Sequence, residues 1–192
     1  MSFFANVVSG VVKLTKSLTD GRQQIVGLQF PSNFLGRPYG QASTYDAEAA
    51  TNVRLCTFAR PQFERLVRDF PGLEHRLFEN ALTELDAARD WMLLLGRKSA
   101  SEKVASFLML VAENSRQVGC SGSDAESSAK FDLPLTRTEI ADYLGLTIET
   151  VSRQLSKLRA LGKISLEGPR TILVSDMRRL AEAAEQQAGH LG

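Results

Sequence analysis

Residues 135–155 restrict the fold most, because their small and apolar side chains fall at places where two short helices can meet in only one way. Thr136 with Glu139 three residues on is the pattern of a capping box, which opens a first helix. Ala141 falls where two steeply crossing helices must come close, so a larger side chain would push them apart. Four residues later Gly145 supplies the positive φ of a tight turn. Six residues beyond that, Val151 can face inward, and Leu155 and Leu158 continue its apolar stripe. Thr147, Glu149, Thr150, Ser152, Arg153 and Lys157 are left on the outward face of the second helix.

An αα-hairpin that touches no nucleic acid would show the same helix pattern, so the neighbouring residues decide. From Ser152 to Ile164 there are four bases (Arg153, Lys157, Arg159, Lys163) and no acid, in a chain whose net charge is only +1. Past Leu161-Gly162, the run Lys163-Ile164-Ser165-Leu166, a Glu167-Gly168-Pro169-Arg170 turn and Thr171-Ile172-Leu173-Val174 predict a hairpin, the wing of a winged helix-turn-helix. A helix in the major groove reads base edges with its outward residues: Arg suits the guanine O6/N7 pair, and Glu accepts from a cytosine amino group. We expect Glu149, Ser152 and Arg153 to read a half-site, with Thr147 and Thr150 on the same face. Thr136, Lys157 and the wing residue Arg170 are expected to hold phosphates.

Residues 1 to about 60 read as β. Val7-Val8-Ser9-Gly10-Val11-Val12 is β-branched and broken by a Ser-Gly turn, Asp20-Gly21 signals a hairpin before Ile25-Val26, and Asn52 to Phe58 alternates again. Three or four strands would leave bare edges and a half-covered apolar face. From Pro61 the pattern turns helical, and Pro71-Gly72 ends a short helix and opens a long one. In the long helix Phe78, Ala81, Leu85, Ala88, Met92 and Leu95 step by three and four as a heptad seam. A second stripe of Leu77, Asn80, Glu84, Ala87, Trp91 and Leu94 adjoins it, with Thr83 and Asp90 beside it. Two stripes imply two partners, the β-domain and a twin helix. Burial of a single helix within a monomer is the alternative. Ser99 with Glu102 caps a further helix from Ala100 to about Asn114 that buries Val104, Phe107, Leu108 and Val111. Residues 117–130, rich in Ser and Gly, read as a surface loop that contains Cys120.

The helix pair and wing resemble the DNA-binding domain of the Crp–Fnr superfamily. Glu149-Thr150-Val151-Ser152-Arg153 matches the Glu-x-x-Ser-Arg that marks its oxygen-responsive, fumarate-and-nitrate-reduction branch. Residues 90–98 resemble the end of that family's dimerisation helix, and Ser9-Gly10 with Asp20-Gly21 resembles the middle of its sensory β-roll. The family's roll begins before residue 1, so the resemblance implies a chain shortened at its N-terminus. It also implies an α+β fold: a partial antiparallel β-roll (1–62), connecting and dimerisation helices (63–98), a winged helix-turn-helix (99–178) and a C-terminal helix or tail (179–192). The implied function is a homodimer on palindromic double-stranded DNA that contacts RNA polymerase and controls genes for oxygen limitation or anaerobic metabolism. Leu77, Asn80, Thr83, Glu84, Ala87, Asp90, Trp91 and Leu94 would line the pairing face, where each acid approaches its own copy and weakens the dimer.

In the cyclic-AMP branch a Gly-Glu turn and an Arg-Ser pair hold ribose and phosphate, and the stretch Phe34-Leu35-Gly36-Arg37-Pro38-Tyr39-Gly40 has neither. In the iron–sulfur branch four thiolates hold a [4Fe-4S] cluster. Cys56 falls where the late ligand would be, so the resemblance implies a ligand role for it only in a longer parent chain. A small buried apolar residue is the plainer reading of a lone cysteine. Without a cluster, the chain would join the nitrogen-fixation-type regulators of the same superfamily. An oligomeric scaffold that has lost DNA binding is the third reading. An enzyme is disfavoured: His75 and His190 have no ligand-like or triad-like company, and no glycine loop or Cys/His spacing suits phosphate or zinc. The two cysteines make no disulfide framework. No leader or membrane span is evident, which predicts a cytoplasmic protein.

Overall fold

The computed structural model of the chain describes residues 4–37, 43–116 and 128–185. The chain divides into two compact units, residues 1–92 and 93–192. Among the described residues the β-roll of the first unit has six strands: β1 (Phe4–Ser9), β2 (Val12–Ser17), β3 (Gln23–Gln29), β4 (Phe34–Leu35), β5 (Asp46–Ala49) and β6 (Arg54–Phe58). They form two antiparallel sheets, ordered β4-β1-β6 and β3-β2-β5. Alternation along β1 and β2 turns Ala5, Val7, Val12 and Leu14 inward, where they join Leu35 in a core shared by both sheets. The roll therefore holds more strands than the sequence reading allowed. That reading missed β4, which is two residues long, and β5, whose Asp-Ala-Glu-Ala carries little strand propensity.

Two predicted turns are in place. Gly21 adopts φ 86° between β2 and β3, closed by the amide of Leu18 donating to the Arg22 carbonyl at 2.8 Å. Gly10, at φ 84°, carries the chain from one sheet to the other. A Cβ there would stand 2.2 Å from the Asn52 carbonyl oxygen, so the position excludes any side chain on contact as well as on backbone grounds.

Two helices follow, α1 (Arg60–Asp69) and α2 (Pro71–Arg97). Phe63 and Val67 of α1 bury against Phe4, with Phe34, Phe58, Leu73 and Leu77 packed around them. The Phe4 and Phe34 rings stack with centroids 5.0 Å apart, and Phe63 tilts against Phe4 at 4.4 Å. Leu77, expected on the pairing face, is thus occupied with the roll. No residue of α2 is fully buried, and Phe78, Leu82, Leu85, Met92 and Leu93 stand exposed, Phe78 at 61% and Met92 at 71%.

The second unit is built on α3 (Ala100–Arg116), α4 (Arg137–Leu144), α5 (Ile148–Ala160) and α6 (Met177–Glu185), with a sheet of β7 (Ala129–Asp132), β8 (Ser165–Leu166) and β9 (Thr171–Val174) in the order β7-β9-β8. Val104, Phe107, Leu108 and Val111 of α3 are buried as expected. The Ser99 amide donates to Glu102 Oε2 at 2.6 Å, which completes the predicted cap. Residues 129 and 130 are strand rather than loop, because β7 pairs with β9 over Ala129 to Asp132. Met177, Leu180, Ala183 and Ala184 of α6 are buried, so residues 179 to 185 take the helical form of the expected helix or tail and pack into the core of this unit. Cys120, His190 and the expected loop as far as residue 127 lie outside the described residues. Among the described residues no helix is long and apolar enough to cross a membrane.

Candidate nucleic-acid interface

Thr136 opens α4 with a complete capping box. Its Oγ1 accepts from the Glu139 amide at 3.3 Å, and Glu139 Oε2 accepts from the Thr136 amide at 2.8 Å. The Thr136 hydroxyl also lies 2.8 Å from Glu139 Oε2. This residue, expected to hold a phosphate, therefore fixes the helix terminus first. Gly145 ends α4 in the left-handed region, at φ 61° and ψ 44°. The space around it is open, since a Cβ would meet only Leu95, at 3.9 Å. Backbone conformation alone thus favours glycine in this turn. Lys103 reaches in from α3, and its Nζ donates to the Leu144 carbonyl at 3.4 Å, at the negative end of α4.

Thr147 caps α5, and its Oγ1 accepts from the Thr150 amide at 3.3 Å. Behind the helix Val151, Leu155 and Leu158 are fully buried with Ile140, Ala141 and Leu144 of α4. The outward face carries Thr147, Glu149, Ser152, Arg153 and Lys157, all exposed, with Thr150 half-buried among them. Arg153 Nη2 lies 3.5 Å from Thr150 Oγ1. Glu149 stands in the first turn of α5. Its own backbone amide, and then the Thr147 hydroxyl, hold its carboxyl below the ordinary carboxylate pKa. It therefore presents a charged acceptor at neutral pH.

The wing differs from expectation at its key residue. Arg170 is exposed, as a phosphate anchor must be, but two of its guanidinium nitrogens already have partners within the protein. It folds back, so that Nε donates to the Leu133 carbonyl and Nη2 to the Pro134 carbonyl, each at 3.2 Å. The expected phosphate anchor is thus engaged in holding the sheet to the connection that leads into α4. Sequence reasoning also missed the bridge from Lys130 Nζ to Glu167 Oε2, at 2.6 Å, because it placed Lys130 in a loop.

Of the other singled-out residues, Asn80, Trp91 and Leu94 on α2 are half-buried, whereas Thr83, Glu84, Ala87 and Asp90 are exposed. The carboxyl of Glu84 is nevertheless partly dehydrated by its surroundings, which raises its pKa. His75 sits on the same helix, 3.3 Å from Glu79. Cys56 lies within β6 opposite Asn6 and is exposed, so it is not the buried apolar residue a lone cysteine suggests. Among the described residues no group of three or more His, Cys, Asp and Glu side chains is placed to hold a metal ion. The whole sequence offers two cysteines where a [4Fe-4S] cluster takes four thiolates, so this chain does not fit that cluster.

Known proteins share both units. The Crp-like helix-turn-helix domain family matches residues 102–183, and the cyclic nucleotide-binding domain family matches residues 1–70. A probable transcriptional activator of Rhizobium leguminosarum bv. viciae is 52% identical over 179 residues, 93% of this chain and 72% of that protein. The transcriptional activator protein FnrL of Cereibacter sphaeroides is 50% identical over 184 residues, 96% of this chain and 73% of that protein. The solved structure of FixK2 from Bradyrhizobium japonicum superposes with a TM-score of 0.82 at 34% identity, covering 97% of this chain and 89% of that one.

Proposed function

This chain belongs to the Crp–Fnr family of transcription regulators, and we propose that it works as a cytoplasmic homodimer that reads a palindromic site and activates transcription there without catalysis of its own. The observation that carries the reading is the two-faced α5. Val151, Leu155 and Leu158 are locked into the core, so Glu149, Ser152, Arg153 and Lys157 can only face outward. Such a helix sits in the major groove with few ways to tilt. Two copies joined through α2 would place two such helices about one DNA turn, roughly 34 Å, apart. The apolar stripe Phe78, Leu82, Leu85 and Met92, left exposed on α2, supports that pairing. RNA polymerase is the further partner that the resemblance to the family implies.

The test is an electrophoretic shift on an AT-rich palindrome at several salt concentrations, beside a scrambled duplex. Preference for the palindrome is expected. Lys157→Ala should weaken both duplexes alike and lower the slope of log affinity against log salt by about one. Equal binding of palindrome and scrambled duplex by the wild-type chain would reject the reading in favour of an oligomer without DNA recognition.

The Glu149-x-x-Ser152-Arg153 motif supports a role in oxygen limitation or anaerobic metabolism. A cluster-free mode of control, as in the nitrogen-fixation-type branch, is the alternative reading, and the likeness to FixK2 fits it. Anaerobic incubation with iron and sulfide should leave the protein colourless and its DNA affinity equal with and without air. A brown, oxygen-labile species would overturn that second reading.

A further inference from the structure

The carbonyls of Leu133 and Pro134 sit where β7 stops being a strand and α4 has not yet begun. Proline has no amide hydrogen, so the ladder cannot run past Leu133, whose N–H donates to the Arg170 carbonyl at 2.9 Å. Leu133, Pro134 and Leu135 are all buried, which leaves few donors for the two carbonyls. Arg170 supplies them, Nε to Leu133 and Nη2 to Pro134 at 3.2 Å each. Two nitrogens of one rigid plane thus hold two successive peptide groups, a geometry that a single ammonium does not offer. The same junction is crossed twice more. Thr171 Oγ1 donates to Asp132 Oδ1 at 2.6 Å, and Lys130 pairs with Glu167 at 2.6 Å.

We infer that Arg170 is a positioning residue: it clamps the wing to the start of α4, and so sets how the wing and the recognition helix meet one stretch of DNA together. The inference rests on the DNA-binding reading proposed above. Contacts to phosphate fix the register in which base edges are read. A wing free to swing relative to α4 would still attract DNA but would hold α5 in the groove less uniquely. Loss of the clamp should therefore cost discrimination more than general attraction.

The test uses the full chain, duplexes enriched by the wild-type protein from a random pool, and a random duplex of equal length. Arg170→Ala and Arg170→Lys should each lower the preference for the enriched duplex about tenfold, with the salt slope unchanged. A phosphate anchor would behave otherwise. Arg170→Lys would then match the wild type, and Arg170→Ala would weaken both duplexes alike and lower the slope by about one. Either result overturns the inference. If Arg170→Ala and Arg170→Lys melt below the assay temperature, Arg170→Gln decides, because its amide keeps a donor for one carbonyl and carries no charge. Reduced preference for the enriched duplex at unchanged slope then supports the clamp, and equal weakening of both duplexes with a slope lowered by about one overturns it. A wild-type chain that enriches no duplex overturns the DNA-binding reading and this inference together, whereas normal wild-type enrichment with indifferent variants overturns the inference alone.

Discussion

The hydroxyl oxygens of Thr147 and Thr150 stand 3.1 Å apart at the start of α5, and Arg153 Nη2 approaches the second of them at 3.5 Å. One cap thus organises the first turn and leads to the guanidinium that faces outward. Arg153→Ala should cost roughly 1–3 kcal/mol on a specific site and relax selectivity at one base pair. Thr147→Ala should lower stability by about 1 kcal/mol through loss of the cap. Shift assays on duplexes substituted one base pair at a time measure the first effect, and thermal melting the second. A uniform loss across all bases in Arg153→Ala would remove its reading role.

Glu149 has a lowered pKa, so the sign of its pH effect is set. The stability it adds is present above the ordinary carboxylate value of 4.5 and is lost as pH falls through the lowered one. DNA binding between about pH 6 and 8 should then be insensitive to this group. Glu149→Gln keeps the shape and removes the charge. It should raise affinity for random DNA, since one repulsion with phosphate disappears, and should reduce discrimination at a cytosine. Lower affinity for random DNA in this variant would contradict that account.

Asp90 and Glu84 share an exposed stretch of α2 with Leu82, Leu85 and Met92. In a symmetric parallel pair each acid approaches its own copy, and like charges in a partly dry seam repel. Asp90→Ala should therefore tighten the dimer, by up to about 1 kcal/mol, in sedimentation equilibrium. Glu84 has a raised pKa from desolvation within its own chain, so the folding penalty of its charged form is present at neutral pH and is relieved as pH falls toward the ordinary value of 4.5; in the paired seam, protonation would also remove the like-charge repulsion. Association of the wild type should strengthen on mild acidification, and Glu84→Gln should be tighter and flatter with pH. Equal or weaker association in both variants would place these acids away from the seam.

Gly10 turns the chain between the two sheets of the roll with its α-carbon against the Asn52 carbonyl, at φ 84°. Gly10→Ala brings a methyl group into contact with backbone and forces a strained φ. It should destabilise the first unit by roughly 2 kcal/mol or more. Gly21→Ala shares the positive φ but has nothing within 4 Å of the added carbon, so its cost should be smaller. Denaturant midpoints of the two variants make the comparison directly.

The helix-turn-helix was legible because everything that specifies it lies within about twenty residues of chain. A Thr-x-x-Glu box, a small residue at the crossing, a glycine in the left-handed turn and an apolar stripe at helical spacing are all local instructions. The hairpins at Asp20-Gly21 and Gly168 were readable for the same reason. What stayed hidden depends on partners far along the chain. Strand β7 is a strand because β9 lies beside it, and its own Ala-Lys-Phe-Asp states no preference. Leu77 carries the same apolar side chain for a roll or for a twin helix, and only the aromatic cluster of Phe4, Phe34, Phe58 and Phe63 decides between them. Arg170 reads from sequence as a loose charge on a wing. Its partners sit 37 and 36 residues earlier, and tertiary folding brings them to 3.2 Å. Sequence by itself determined which helix could read DNA, since backbone conformation and helical period are properties of neighbouring residues. Only the tertiary structure decided which charges remain free to touch that DNA, because a side chain's hydrogen bonds depend on what the fold brings within its reach.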